Sequence, residues 1–369
     1  MLTSGAMTQI ETLDEFLSYG FDLTDTLIQD IDFRDADIPW EKYICKNTFF
    51  TGCKFSKQAT VGLIFEKGGF AFPKFNDLPY NAYRSGLYSP FELMEGYDPE
   101  NDRSLDRRIY DHFVSKGRHS PDIAEALSQR IHDHAIDEAL DDLLETRQAK
   151  VIGIMGGHSC KRDSIYYAKI AKLARMLTLE GYFIASGGGP GIMEAANLGA
   201  YFANYSEEEL FEAIEMMQGA LHYSDKNHIA ESMKVVEKFP EGAESIAVPT
   251  WFYGHEPSNL FSMHIAKYFS NGIREDRLLA ISLHGVVFAP GSAGTTQEIF
   301  MDATQNHYGS YGWYSPMVFL GLERYKIETL IYPLLDQLAW GRTYGSLLKL
   351  TDSSEEALKF IKSHPPVRV

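Results

Sequence analysis

Basic residues are scarce in this 369-residue chain: 34 Lys and Arg stand against 51 Asp and Glu, for a formal charge of -17. A surface of that sign repels nucleic-acid backbones and anionic membranes, so neither is expected as a partner. A small phosphorylated ligand is still admissible, because a helix start and one or two Arg suffice locally. Cysteine is scarcer still. Only Cys45, Cys53 and Cys160 occur, with no CxxC and no zinc-ligand spacing, which reads as a reducing, cytoplasmic compartment. No metal and no cofactor are expected; His132 and His134 read either as a shared metal site or as two exposed helix histidines. An uninterrupted apolar run of about 18 residues is also missing, so no membrane span is expected. The N-terminus lacks the basic-then-apolar layout of a secretory signal. Met1–Met7 (MLTSGAM) reads as an early start or an added leader and stays outside the fold argument.

At 44% hydrophobic content the composition is that of a globular protein, and the length suits two domains. The pattern changes near residues 115–150. Downstream, short apolar runs alternate with stretches of helical spacing. Strands are expected at Lys150–Gly156, Tyr182–Ala185, Ser245–Pro249, Gly285–Ala289, Met317–Gly321 and Ser346–Thr351. Helices are expected at Asp163–Glu180, Pro190–Asn204, Ser258–Ile273, Ala293–His307, Glu328–Ala339 and Ser354–Ser363. Ser206 with Glu209 reads as a capping box opening one more helix. Such alternation predicts an α/β fold, a doubly wound Rossmann-like parallel sheet, over residues 116–369. Pro121–Arg147 is expected to be a long amphipathic helix bridging this domain to an N-terminal accessory α+β region, residues 1–115. That region is dense in aromatics and turn residues. It also carries a five-residue rhythm at Leu23, Ile28, Phe33, Ile38, Tyr43, Thr48 and Cys53, which a stacked pentapeptide-type coil would produce and chance would too.

Two glycine-rich turns, each between an expected strand and an expected helix, carry the chemistry. The first runs Ser186-Gly187-Gly188-Gly189-Pro190-Gly191-Ile192-Met193-Glu194, and the second Pro290-Gly291-Ser292-Ala293-Gly294-Thr295-Thr296-Gln297-Glu298. Bare glycine N–H groups at a helix start favour an anion. In the second turn Gly291, Ser292, Ala293, Gly294, Thr295 and Thr296 make a natural phosphate cradle. Glu298 then lies roughly 6 Å along the helix from Gly294, beside the sugar of a phosphorylated ligand rather than against its phosphate. Glu194 and Glu298 each have a second reading, as acidic residues that favour a helix dipole. In the first turn Gly187, Gly188, Gly189, Gly191, Met193 and Glu194 are candidate substrate contacts, and Gly157 and Ser159 of the turn Gly156–Ser159 join them. A plain dinucleotide site is disfavoured, since GxGxxG and the ribose-binding acid are both missing.

The PGSAGTTQE stretch resembles the PGGxGTxxE signature of the Lonely Guy (LOG) family, often labelled lysine decarboxylase-like, and SGGGPGIMEAAN resembles that family's other glycine motif. The likeness covers about residues 148–325. It implies a phosphoribohydrolase, in which water cleaves the N-glycosidic bond of a nucleoside 5′-monophosphate to give free base and ribose 5-phosphate. The family pairs its signature Glu with an Arg on the preceding helix. Arg274 takes that place by a one-residue slip, with Arg277 as the alternative, and Ser292 stands where the family has Gly. Met193, Asn197, His255, Met263 and Tyr308, with Asp302 one turn past Glu298, are candidates around the base. The resemblance also implies a homodimer, to which the aromatic run Tyr308–Tyr314 would contribute an interface or a lid. The competing reading is a nonhydrolytic nucleotide-binding sensor or carrier on the same fold; a third makes the N-terminal region an interaction platform or regulator.

Overall fold

The computed structural model describes residues 7–369 except Pro73, Glu256 and Ser258, so most of Met1–Met7 lies outside the described residues. The chain divides into two compact units, Met1–Ser85 with Pro121–Ala135, and Gly86–Ser120 with Ile136–Val369.

The first unit stacks four parallel strands in sequence order: β1 (Thr8–Ile10), β2 (Thr26–Gln29), β3 (Phe49–Thr51) and β4 (Phe70–Phe72). Helix α1 (Leu13–Tyr19) lies between the first two strands in the chain and α2 (Gln58–Glu66) between the last two. Successive turns pair in one register, Leu27 with Phe49, Asp22 with Ile44 and Asp32 with Lys54. The five-residue rhythm is the inside of this coil: Leu23, Ile28, Phe33, Ile38, Tyr43, Thr48 and Cys53 are all buried. Its filling is largely aromatic. Phe33 packs on Phe16, Trp40 and Phe50, at ring-centroid distances of 4.8, 5.2 and 6.4 Å. Thr48, the one polar member, donates its hydroxyl to Leu23 O at 2.5 Å and so is buried without loss of a hydrogen bond.

The second unit opens with α3 (Pro90–Leu93) and α4 (Leu105–Ser115). Helix α5 (Ile123–Arg147) follows, its residues up to Ala135 grouping with the first unit and the rest with the second. His132 is buried and His134 exposed, so the two rings leave the helix in different directions and do not share a ligand position.

Beyond α5 comes the main sheet, made of β5 (Val151–Met155), β6 (Phe183–Ser186), β7 (Ile246–Ala247), β8 (His264–Ile265), β9 (Val286–Phe288), β11 (Met317–Leu320) and β12 (Leu348–Thr351). The short strands β10 (Trp313–Tyr314) and β13 (Val367–Arg368) form a separate antiparallel pair. The helices are α6 (Ile165–Leu179), α7 (Ile192–Tyr201), α8 (Glu207–Met216), α9 (His228–Lys238), α10 (Asn271–Ile281), α11 (Ala293–Tyr308), α12 (Ile331–Ala339) and α13 (Ser354–Ser363). The seven strands lie in the order β12-β11-β9-β5-β6-β7-β8, and every pairing is parallel. This is the doubly wound α/β sheet expected. Its order reverses at β5, and the crevice at the carboxyl ends of β5 and β9 is where such sheets take ligands.

One expected element is corrected. Of the segment expected as a helix over 258–273, Ser258 lies outside the described residues, 259–270 are not helical and pass through β8, and only 271–273 are helical, as the start of α10. His264, Ala266 and Tyr268 donate to Ser245 O, Ala247 O and Pro249 O, while Ile265 exchanges both backbone bonds with Tyr88. A strand buried on both faces is apolar at nearly every position, so its spacing imitates a buried helix. Among the described residues, no helix is long and apolar enough to cross a membrane.

The aromatic filling of the coil yields a test. Phe33→Ala should destabilise it by about 3–5 kcal/mol. Hydrogen exchange should then quicken at the amides of Leu27–Gln29 and Phe49–Thr51, while those of β5 and β9 keep their protection.

Candidate functional site

Three loops and two helix starts meet at the crevice and line a cleft that is open to solvent. Gly156, Gly157 and His158 come from the end of β5; Gly187, Gly189 and Met193 from the first glycine turn. Pro249, Thr250, Tyr253 and Gly254 follow β7. Arg274 stands in the first turn of α10, and Ser292, Gly294, Thr295 and Glu298 at the start of α11.

The second glycine turn is built as an open helix start. No side chain caps α11, whose N-cap is Ser292, and a Cβ on Gly294 would meet nothing within 4 Å. The first-turn N–H groups therefore keep their donor capacity for a ligand. Gly291 has a different reason to be glycine: a side chain there would overlap Thr295, which is buried beneath it. The turn is held from behind, where Arg324 donates to Gly291 O at 2.6 Å and Tyr325 to Ala289 O at 2.6 Å.

The run of glycines in the first turn answers mostly to internal packing. Gly188 and Gly191 have φ of +74° and +70°, in the left-handed region. A Cβ on Gly191 would press on the backbone of Gly157 and His158. Gly187 is the informative one, because a side chain there would collide with the Arg274 guanidinium and with Met193. The bare backbone at 187 is what lets Arg274 enter. Below the turn, Asn197 accepts from Ser186 Oγ at 2.6 Å and donates to Ser245 Oγ at 2.9 Å, fixing the ends of β6 and β7.

Arg274 is buried. Its Nε donates to Val248 O at 2.6 Å and its Nη2 to Gly187 O at 3.4 Å, leaving Nη1 3.6 Å from Glu298 Oε1. Burial pushes the Glu298 carboxyl up to about 7; Arg274 pulls it down, and the neighbouring Glu275 carboxylate adds to the rise. Glu298 thus sits where both its protonated and ionised forms are populated near neutrality, as suits acid–base or charge-stabilising work. Glu275 is itself buried and accepts from Gln297 Nε2 at 2.6 Å and from the Tyr253 hydroxyl at 3.3 Å.

Several expected site residues lie elsewhere. Glu194 does not border the cleft. Its carboxylate takes Arg162 Nε and Nη2 at 2.9 and 2.5 Å and the Tyr167 hydroxyl at 2.8 Å, all buried. Burial opposes its charge, but Arg162 and His228 hold it well below the usual carboxylate range. It is thus fully engaged within the core, and the ligand reading of Glu194 is corrected. Gly188, Gly191, Gly291, Ala293 and Thr296 support the loops without lining the cleft, and Ser159 is exposed beside it. Arg277 turns away to Asp137 and Asp141 of α5, so Arg274 is the arginine at the cleft. Of the expected base contacts only Met193 borders it. Asn197 is in the core network, Met263 packs against the core, His255 sits 3.9 Å from Asp102 and Asp106, and Tyr308 is exposed at the far end of α11. Sequence reasoning missed His158, Pro249, Thr250, Tyr253 and Glu275. Pro249 and Thr250 were legible as the end of a strand expected to point at the crevice.

With this geometry in view, comparison with solved structures finds a Moco carrier protein from Chlamydomonas reinhardtii at 15% identity, covering 58% of this chain and 96% of that one with a TM-score of 0.36. It also finds a molybdenum cofactor binding protein from the phototrophic bacterium Rippkaea orientalis at 15% identity, with the same coverages and a TM-score of 0.37. No protein-family model matches the chain, and no curated protein matches it. The topology is read from the strand order and register of the chain itself.

One turn past Glu298, Asp302 is buried, its Oδ2 has no hydrogen-bond partner, and burial pushes its carboxyl up to about 8. An unfolded Asp titrates near ~3.9, so the folded state binds more protons between these values and loses stability as pH rises. Asp302→Asn removes that loss. In melting experiments the gain of the variant over the wild type should be small near pH 4, grow up to about pH 8, and then level off.

Proposed function

We propose that this chain is a nucleoside 5′-monophosphate phosphoribohydrolase of the Lonely Guy type, releasing free base and ribose 5-phosphate. The observation that carries the reading is Glu298, a carboxyl with one ion-pair contact, at 3.6 Å to Arg274, standing on the helix whose uncapped start faces the same cleft. The 5′-phosphate rests on the first-turn amides of α11 and the hydroxyls of Ser292 and Thr295, where the helix dipole and unpaired N–H groups favour an anion. Phosphate binding there places the pentose one turn along the helix, against Glu298, and so contributes positioning as well as affinity.

Rupture of the C1′–N bond builds positive charge on the ribose ring, as in other glycoside cleavages. The ionised Glu298 faces that charge, holds the ribose hydroxyls or orients the attacking water. The water oxygen bonds to C1′, the C1′–N electron pair leaves with the base, and the water's proton ends on the base. Arg274, tethered to two backbone carbonyls, keeps the Glu298 carboxylate in place and anchors the substrate. A homodimer belongs to the same reading; sedimentation at micromolar concentration should give twice the monomer mass, and a monomer would refute that part.

Glu298→Gln should lower ribose 5-phosphate release on the order of 10²–10⁴-fold while AMP binding by calorimetry stays within a few-fold. In the wild type kcat/KM should rise with pH and level off above about 7, as Glu298 ionises. Turnover by the Gln variant at the wild-type rate removes the assignment. Tight binding of AMP with no turnover by the wild type would instead make the chain a nucleotide carrier or sensor.

A further inference from the structure

We propose that Tyr253 is the surface on which the ligand's aromatic base stacks, and that Glu275 is the positioning residue that holds the ring there. The inference rests on the nucleotide reading above and names how the base is recognised. Tyr253 borders the cleft and is 64% exposed; the Phe252 ring meets it at a near-right angle, 5.5 Å between centroids, and the rest of its aromatic surface stands open at the rim. Its hydroxyl is already engaged, donating to Glu275 Oε1 at 3.3 Å and accepting from Asn271 Nδ2 at 2.9 Å. What it presents to a ligand is therefore the π face.

The wall beside it has the same character. The Thr250 hydroxyl donates to Tyr268 O and accepts from Phe252 N, both at 3.1 Å, so it too is engaged. Pro249 and Met193 are apolar. Arg274 has given Nε and Nη2 to backbone carbonyls and faces Glu298 with Nη1. The side chains of this wall offer a base little to hydrogen-bond with and much to stack and pack against. Recognition by stacking tolerates different bases, because every base has a π face.

The ring is held in place from two sides. The stem of its loop is fixed where Arg118 Nε donates to Phe252 O at 2.7 Å. Its tip is fixed by Glu275, whose other oxygen takes Gln297 at 2.6 Å, the residue next to Glu298 on α11. The stacking plate and the carboxyl that faces the sugar are thus tied to one helix, which sets the distance between base and pentose.

The test compares two ligands on the full chain by calorimetry, in a Glu298→Gln background that prevents turnover: AMP, which carries a base, and ribose 5-phosphate, which does not. Tyr253→Ala should weaken AMP about tenfold or more and leave ribose 5-phosphate within twofold. Tyr253→Trp should bind AMP as tightly as the parent. Tyr253→Phe and Glu275→Gln, which keep the ring but loosen its tether, should fall between. Equal weakening of both ligands by Tyr253→Ala, or no weakening of AMP, overturns the stacking role. If the parent protein binds neither ligand at millimolar concentration, the nucleotide reading itself fails, and this inference with it.

Discussion

Arg274 is the side chain on which the cleft depends. Its guanidinium runs from α10 to Val248 O behind β7, to Gly187 O behind β6, and to Glu298 on α11, so it links the loop ends of separate strands. A buried guanidinium is tolerated only when its donors are met. Two carbonyls meet part of the demand, and Nη1, 3.6 Å from the Glu298 carboxyl, contributes charge attraction at the cleft rather than a hydrogen bond. The passage exists because residue 187 has no side chain. Glycine at that position and arginine at 274 are one constraint seen from two places in the chain, and the loops that line the cleft are arranged around it.

The two glutamates that follow the glycine turns show how little separates a structural carboxylate from a reactive one. Glu194 and Glu298 each stand early in a helix behind a glycine-rich loop, and each meets an arginine. Glu194 receives Nε and Nη2 of Arg162, a tyrosine hydroxyl and the His228 ring, and stays ionised in the core. Glu298 receives one contact at 3.6 Å, with the Glu275 carboxylate nearby, so desolvation prevails and its carboxyl rises. The number of donors converging on each oxygen decides the outcome, and those donors come from segments far away in sequence.

Legibility followed the same line. The strands and most helices of the sheet could be read because apolar period and capping residues are local; the Ser206–Glu209 capping box is present at the start of α8. The five-residue rhythm of the N-terminal unit was visible as a pattern, but only the stacked register of Leu27 on Phe49 and Phe49 on Phe70 shows it to be a coil interior. The segment through β8 failed because a strand buried on both sides erases the alternation that would reveal it. Both glycine motifs were found, and Gly187, Gly189 and Met193 of the first do line the cleft. Gly188 and Gly191 serve backbone angle and close packing; no side chain caps α7 or α11, but the start of α7 is buried whereas that of α11 is exposed at Ser292–Gly294. Tyr253 and Glu275 carried no signal, since a single aromatic and a single acid in a loop and a helix look like any others.

By itself the sequence determined which segments are strands and helices over most of the sheet, where its two glycine turns fall, and that Glu298 stands one turn into a helix behind the second. These follow from neighbours within a few residues, where spacing, caps and backbone freedom act directly. Tertiary structure alone decided that Arg274 and not Arg277 reaches the cleft, that Glu194 is sealed in the core, and that Tyr253 stands open at the rim. Burial and the pairing of charge depend on which distant groups converge on an atom, and the chain specifies that only once its strands have taken their order.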